Sequence, residues 1–231
     1  MESNDLTTDR RSFIGTIATG AATLSLATLA SPLQSFAKET HIPNGDDDAD
    51  AWFKKIKGKH RIVFDATEPK GVFPFAWPRV FLMTNAMTGT PEKDSSVVVV
   101  LRHNAIPFAM NNDLWTKYQF GEVFHVNDDA TKATAVKNAF WKPAVGDFKI
   151  PGIGNVAIGI NELMDSGVMF CVCNVALTVY SAAVAQGRGM DAAEVKKDWM
   201  AGLLPGIQVV PSGVWAVGRA QEHGCAYCFA G

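Results

Sequence analysis

The sequence has little charge and almost no excess of either sign. Charged residues make up 19% of the chain, and the formal net charge is −2 at pH 7. Such a surface has no strong attraction for nucleic acid or for an anionic membrane, so we expect neither as a partner. Hydrophobic residues make up 48%, which is typical of a globular protein with a substantial core.

Signatures of cofactor and metal binding are also scarce. No glycine-rich phosphate-binding fingerprint follows the first predicted strand, so we expect no nucleotide cofactor. The five histidines show no metal-ligand spacing. Cys225 and Cys228 are not accompanied by a second cysteine pair at zinc-finger distance. The sequence therefore predicts neither a cofactor nor a metal.

Residues 1–37 are typical of an export signal. The segment Asp9-Arg10-Arg11-Ser12-Phe13-Ile14 resembles the twin-arginine signal, and an uncharged, weakly apolar run follows over residues 14–30. Ser35 and Ala37 place small residues where a signal peptidase reads the chain. The run is too short and too polar to hold a membrane strongly, and we expect no stable membrane anchor once the signal is removed. The alternative is that residues 1–37 form an uncleaved amphipathic anchor. We expect a periplasmic or other extracytoplasmic protein exported by the twin-arginine route.

The rest of the chain is predicted to form one α/β domain. Residues 38–57 contain Gly45 and three consecutive aspartates, which indicates a polar linker followed by a short helix. Over residues 58–231, predicted strands and helices alternate, a pattern that favours a mostly parallel sheet covered by helices on both faces. A tract without steady periodicity, at about 104–154, is predicted to be an insertion that packs aromatic side chains over the domain or against a neighbour.

The stretch most suggestive of chemistry is uncharged and contains two cysteines. Residues 168–173 predict a strand buried on both faces, and Asn174 predicts the N-cap of a helix over 175–186 that stops at Gly187. Cys173 would then lie where the strand ends and the helix begins, so that backbone N–H groups and the helix dipole stabilise a thiolate. The alternative is a small, buried and inert cysteine.

Other candidate groups also lie at predicted strand ends, where functional groups of parallel sheets collect. His103 could hydrogen-bond to a thiol or deprotonate it, or it could simply be satisfied at its strand end. Ser212 is first a helix N-cap and only second a ligand group. Cys171 is either a resolving thiol or a packed one, and its i, i+2 spacing from Cys173 is too long for an unstrained disulfide.

Cys225 and Cys228 have the C-x-x-C spacing of redox and metal pairs. Such pairs normally open a helix, whereas this one falls in a predicted final strand. A dithiol or disulfide role is therefore an alternative to a structural one.

Two segments together resemble a known family. Leu203-Leu204-Pro205-Gly206-Ile207-Gln208-Val209-Val210-Pro211-Ser212-Gly213-Val214, followed by residues 219–227, is similar to the C-terminal part of DsrE/DsrF-like (YchN-like) proteins. Phe170-Cys171-Val172-Cys173 is similar to the family's strand with a single cysteine before a helix. The likeness covers about residues 155–229 well and residues 61–103 loosely.

This resemblance implies a flavodoxin-like, three-layer α/β sandwich with a five-stranded sheet, and assembly into trimers or hexamers. It also implies sulfur relay, with Cys173 at the position that carries a persulfide and a sulfur donor or acceptor protein as partner. Cys171, Asn174, His103 and Ser212 would support Cys173. The leading hypothesis is thus an exported, sulfurtransferase-like sulfur carrier. The alternatives are a non-catalytic oligomeric binding module and a dithiol redox protein using Cys225 and Cys228.

Overall fold

The computed structural model describes residues 49–128, 131–150 and 152–231. The paired arginines Arg10 and Arg11, the apolar run and the predicted cleavage site lie outside the described residues. Within the described ranges, no helix is long and apolar enough to cross a membrane.

The helices are α1 Ala49–Phe53, α2 Phe73–Met87, α3 Asn112–Tyr118, α4 Phe120–Val123, α5 Ile160–Asp165, α6 Asn174–Arg188, α7 Ala192–Ala201 and α8 Gly213–Glu222. The strands are β1 His60–Ala66, β2 Ser95–Leu101, β3 Lys149–Ile150, β4 Gly154–Asn155, β5 Met169–Cys173, β6 Gln208–Val210 and β7 Ala226–Phe229.

Five of these strands form one sheet in the order β6-β5-β2-β1-β7, and every neighbouring pair is parallel. The predicted α/β sandwich with a five-stranded parallel sheet is therefore confirmed. The chain steps outward from β1 through β2 and β5 to β6, and then returns across the sheet to place β7 on the other side of β1. Strand order thus reverses at β1.

This reversal decides which helices cover each face of the sheet. Because parallel crossovers are right-handed, the returning helix α8 must lie on the face opposite to the helices of the outward steps. Val63 and Cys171 pack with Phe53 of α1 and Ala216 of α8 in one buried cluster. Phe64, the next residue along β1, instead meets Phe81 of α2, with ring centroids 6.4 Å apart. Side chains alternate along the strand between the two faces.

The tract predicted to be irregular contains short helices and a small hairpin. A 3-10 segment, His103–Ala109, precedes α3 and α4, and β3 pairs antiparallel with β4. Its aromatic side chains pack into the domain: Phe140 stacks on Phe75 of α2 at 4.1 Å, and Phe120 meets Trp199 of α7 at 5.0 Å. These rings add a second apolar layer beyond the sheet.

The predicted end of the helix after the cysteines was wrong. Helix α6 continues through Gly187 to Arg188, and Gly189 ends it with φ of 64°. Glycine is tolerated inside a helix at a modest cost, whereas the left-handed conformation at a helix end favours it strongly. The second of two nearby glycines is therefore the one that ends α6.

Candidate functional site

The carboxyl ends of four neighbouring strands bring the candidate residues to one edge of the sheet. Val100 pairs with Cys171 and Leu101 with Val172, so Arg102 follows beside Cys173 on the same face. On its other side, Cys173 pairs with Val210, from which the chain runs to α8. Cys173 therefore lies between the exits of β2 and β6.

Cys173 is the N-cap of α6, a position that was predicted for Asn174. Its backbone is extended (φ −74°, ψ 112°), and its Sγ accepts a hydrogen bond from the backbone N–H of Ala176 at 3.3 Å. An N-cap needs this extended conformation together with a side-chain acceptor, and Cys173 supplies both, so the helix begins one residue earlier than predicted. The residue as a whole is 6% exposed.

Asn174 is therefore the first residue of α6 rather than its cap. The residue is buried, and its Oδ1 accepts no hydrogen bond from any described residue. Its backbone oxygen accepts from the hydroxyl of Thr178 at 2.9 Å. The residue after Cys173 thus carries a buried amide oxygen that has no donor among the described residues.

An ion pair crosses the ends of β1 and β2 next to the thiol. Arg102 donates from Nε to Asp65 Oδ1 at 2.6 Å and from Nη2 to Asp65 Oδ2 at 2.8 Å. The hydroxyl of Tyr227, on β7, donates to the same Oδ2 at 3.0 Å. Asp65 is 2% exposed, so this carboxylate is nearly removed from water. Paired and hydrogen-bonded carboxylates are the form in which buried charge is tolerated.

Arg102 is held from the side of α8 as well. A Cβ added at Gly213, the first residue of α8, would lie 2.6 Å from both Cβ and Cδ of Arg102. The hydrogen bond with Asp65 raises the pKa of Arg102 above its ordinary value, and the nearby Tyr227 and Cys173 raise it further through their charges. The guanidinium is thus a fixed cation within electrostatic range of the thiol.

Ser212 occupies the position predicted for it at the end of β6. It is the N-cap of α8, and its Oγ accepts from the backbone N–H of Trp215 at 3.1 Å. The N-termini of α6 and α8 therefore both begin at this edge of the sheet.

His103 turns away from the ion pair into a separate network. Its backbone is left-handed (φ 51°), and its Nδ1 lies 3.2 Å from Glu68 Oε1. Glu68 Oε2 accepts from the amide of Asn104 at 2.9 Å, and Asn104 Oδ1 accepts from the hydroxyl of Tyr180 at 2.6 Å. Burial, with a smaller effect of the Glu68 charge, raises the pKa of Tyr180 to about 12. The contacts described for His103 are with Glu68 and Tyr180, whose ring it meets edge-on, and not with a thiol.

Cys171 is fully buried between α1 and α8. Burial, with a smaller contribution from the Cys173 charge, raises the pKa of its thiol far above the ordinary value. A neutral thiol packed in a core is a weak nucleophile, because the thiolate is the reactive form. The structure therefore separates the two neighbouring cysteines into a packed thiol and a strand-end thiol.

Cys225 and Cys228 are free thiols on opposite sides of the sheet. Cys225 belongs to the buried cluster beneath α8, whereas Cys228 pairs with Phe64, whose side chain faces α2. Burial raises the pKa of Cys225 to about 11, although Arg61 lowers it in part. A disulfide needs Cβ atoms that approach within bonding range, which side chains on opposite faces do not provide.

Arg102 and Tyr227 were not among the functional residues predicted from the sequence. Alternation along β2 could have indicated Arg102, because it follows the buried Val98 and Val100 on the same face. Tyr227 carried no signal of its own, since its contact with Asp65 depends on β7 lying next to β1. Among the described residues, no group of three His, Cys, Asp or Glu side chains could hold a metal ion.

Comparison with known proteins gives little further information. No family model matches the chain. No curated protein matches it. Among solved structures, the chain is similar to MTH1491 from Methanobacterium thermoautotrophicum, described as a protein of unknown function. The two are 20% identical over 74% of this chain and 99% of that chain, with a TM-score of 0.34. The fold assignment therefore rests on the sheet order and helix placement of this protein itself.

Proposed function

We propose that this protein is an exported, DsrE/DsrF-like sulfur carrier that holds sulfane sulfur as a persulfide on Cys173. The observation that carries the proposal is the position of this thiol. Its Sγ lies 3.3 Å from a backbone N–H in the first turn of α6, at a strand end beside Arg102. Helix N-termini and arginine side chains both stabilise a thiolate or a persulfide anion.

The chemistry needs no bound cofactor. The Cys173 thiolate attacks the outer sulfur of a donor, the donor's S–S bond breaks, and the leaving group departs with the electron pair. A new S–S bond remains on Cys173. An acceptor thiolate then attacks the outer sulfur of this persulfide, takes it, and releases the Cys173 thiolate.

The other cysteines have different places in this proposal. Cys171 packs in the core and stays a thiol, while Cys225 and Cys228 take no part in the transfer. Asn174 and Ser212 shape the two helix starts around Cys173. His103 keeps a separate role with Glu68, and no step is assigned to it.

Export and assembly are parts of the same proposal. Arg10 and Arg11 support twin-arginine export to the periplasm or another extracytoplasmic compartment. The family resemblance supports trimers or hexamers. The edge strand β7 offers Tyr227 and Phe229, 49% and 55% exposed, as aromatic surface that a second copy could cover.

The test is intact mass spectrometry of the purified protein after exposure to a polysulfide or to glutathione persulfide. We expect a gain of one sulfur atom that dithiothreitol removes. Cys173→Ser should abolish this gain, whereas Cys228→Ser, a change at a partly exposed thiol, should keep it. If the sulfur gain survives Cys173→Ser and disappears with Cys225→Ser or Cys228→Ser, the dithiol redox hypothesis is favoured. If the wild-type protein gains no sulfur at all, the non-catalytic binding module is favoured.

A further inference from the structure

Arg102 and two helix N-termini lie near Cys173 at the carboxyl edge of the sheet. Arg102 lies beside it on the exit of β2, at the spacing of neighbouring strands, about 4.8 Å between backbones. The chain leaving β6 on the other side leads into the N-terminus of α8. The thiol itself caps the N-terminus of α6. Arg102, in its ion pair with Asp65, and the N-termini of α6 and α8, which carry partial positive charge, therefore lie at the same edge of the sheet as this sulfur atom.

Arg102 keeps part of its hydrogen-bonding capacity. Asp65 takes the Nε and Nη2 donors, and no described residue accepts a hydrogen bond from Nη1. The Arg102 side chain is 28% exposed, whereas that of Asp65 is 3% exposed. The buried carboxylate thus anchors the guanidinium, and its outer part remains open to solvent. An arginine fixed in this way is well suited to bind the oxygens of a planar or tetrahedral oxyanion.

The limited access to Cys173 restricts the size of the donor. The residue is 6% exposed, while the side chain of Arg102 is 28% exposed. A cysteine on a folded partner protein would have to enter this opening together with its own backbone. A small inorganic anion has no such requirement.

We propose that this site takes its sulfur from a small oxyanionic sulfane donor of the thiosulfate class, bound through Arg102. The inference rests on the proposed persulfide chemistry of Cys173. The donor's sulfonate oxygens bind the outer N–H groups of Arg102, and its outer sulfur meets Cys173 Sγ. The thiolate attacks that sulfur, the S–S bond of thiosulfate breaks, sulfite leaves with the electron pair, and Cys173 keeps the persulfide anion. Atoms and charge balance without an added oxidant or reductant.

The test compares two donors that differ in size and in the presence of a sulfonate group, and two alkylating probes that differ in charge. The full chain is incubated with thiosulfate or with glutathione persulfide, and sulfur gain is followed by intact mass spectrometry. Separately, Cys173 is alkylated with iodoacetate and with iodoacetamide, which share a leaving group but differ by one negative charge. The variants are Arg102→Lys, Arg102→Gln and a double variant that combines Arg102→Gln with Asp65→Asn. The double variant also removes the buried carboxylate that Arg102→Gln would leave without its partner. Arg219→Gln, which removes a cation from the last turn of α8, is the matched control.

We expect the Arg102 variants to lose roughly tenfold in the rate of sulfur gain from thiosulfate, the size of effect expected for a lost hydrogen bond to a charged group. The iodoacetate-to-iodoacetamide rate ratio should fall in the Arg102→Gln variants, which lose the cation, and fall less in Arg102→Lys, which keeps it. Arg219→Gln should change neither value. If the Arg102 variants use thiosulfate as well as the wild type does, the anion site is refuted while the persulfide chemistry stands. Sulfur gain from glutathione persulfide but not from thiosulfate refutes the donor class in the same way. Sulfur gain from neither donor refutes both proposals.

Discussion

Arg102 and Asp65 join the carboxyl ends of β2 and β1 through two parallel hydrogen bonds of 2.6 and 2.8 Å. The pair lies beside the point where strand order reverses, because β1 separates β2 from the last strand β7. Ligand sites of open α/β sheets collect at such points. The ion pair therefore links the architecture of the sheet to the surroundings of Cys173.

The first prediction concerns the stability that this ion pair gives. Asp65→Ala leaves the Arg102 charge partly buried without its partner, so we expect a loss of about 3 kcal/mol in the free energy of unfolding. Tyr227→Phe removes only one hydrogen bond to the same carboxylate and should cost about 1 kcal/mol. Urea denaturation followed by tryptophan fluorescence measures both values. Equal effects of the two changes would contradict the proposed dominance of the ion pair.

The second prediction compares two glycines of the same helix. A Cβ at Gly213 would lie 2.6 Å from the Arg102 side chain, whereas a Cβ at Gly218 would meet no atom within 4 Å. Gly213→Ala should therefore displace Arg102, lower stability by roughly 1–3 kcal/mol as overpacking does, and slow sulfur gain from thiosulfate. Gly218→Ala should stabilise the protein by about 0.5–1 kcal/mol, because alanine favours a helix interior.

The thermal unfolding midpoints of the two glycine variants give the comparison directly. If Gly213→Ala matches Gly218→Ala in its unfolding midpoint and in its rate of sulfur gain from thiosulfate, the close approach of α8 to Arg102 affects neither stability nor sulfur transfer.

The fold could be predicted from the sequence because local patterns carry it. The four valines of β2 indicate a strand buried on both faces, and Ser212 caps the helix that it was predicted to cap. Alternation of strands and helices then leads to a parallel sheet. These signals depend on neighbours in sequence, so no tertiary information was needed to interpret them.

The surroundings of Cys173 could be predicted only in part. The strand-end position of the thiol follows from the pattern, but its role as N-cap depends on one residue's backbone conformation. The pairing of Asp65 with Arg102 and Tyr227 joins residues separated by 37 and 162 positions, and no spacing rule relates them. The sequence left open whether His103 contacts a thiol or is satisfied at its strand end, and the structure places it beside Glu68, with a left-handed backbone.

The third prediction concerns export. Changing Arg10 and Arg11 to Lys weakens the feature by which the twin-arginine route identifies its cargo, so the uncleaved precursor should accumulate in the cytoplasm. The precursor and processed forms are separated by mass after cell fractionation. Lys54→Arg, a change outside the signal that preserves charge, is the control and should be exported normally. Processing and export that continue without the arginine pair would show that residues 1–37 are not a twin-arginine signal.

The fourth prediction uses the contrast between Cys171 and Cys173. Burial raises the pKa of Cys171, so its thiol stays neutral in the folded protein at a pH where an unfolded cysteine, with a pKa of about 8.5, has begun to ionise. Folding stability from this group is therefore fully present below about pH 8.5 and is lost as pH rises further, because only the unfolded state releases the proton. Cys225, whose pKa burial raises to about 11, contributes in the same direction. We expect the free energy of unfolding to decline from about pH 8.5 upward, and Cys171→Ala to make that decline shallower while costing stability at neutral pH.

Iodoacetamide labelling with peptide mapping gives a second readout: Cys173 should react in the folded protein, and Cys171 only after denaturant is added. Labelling of Cys171 at the same rate as Cys173 in the native state would contradict its burial between α1 and α8.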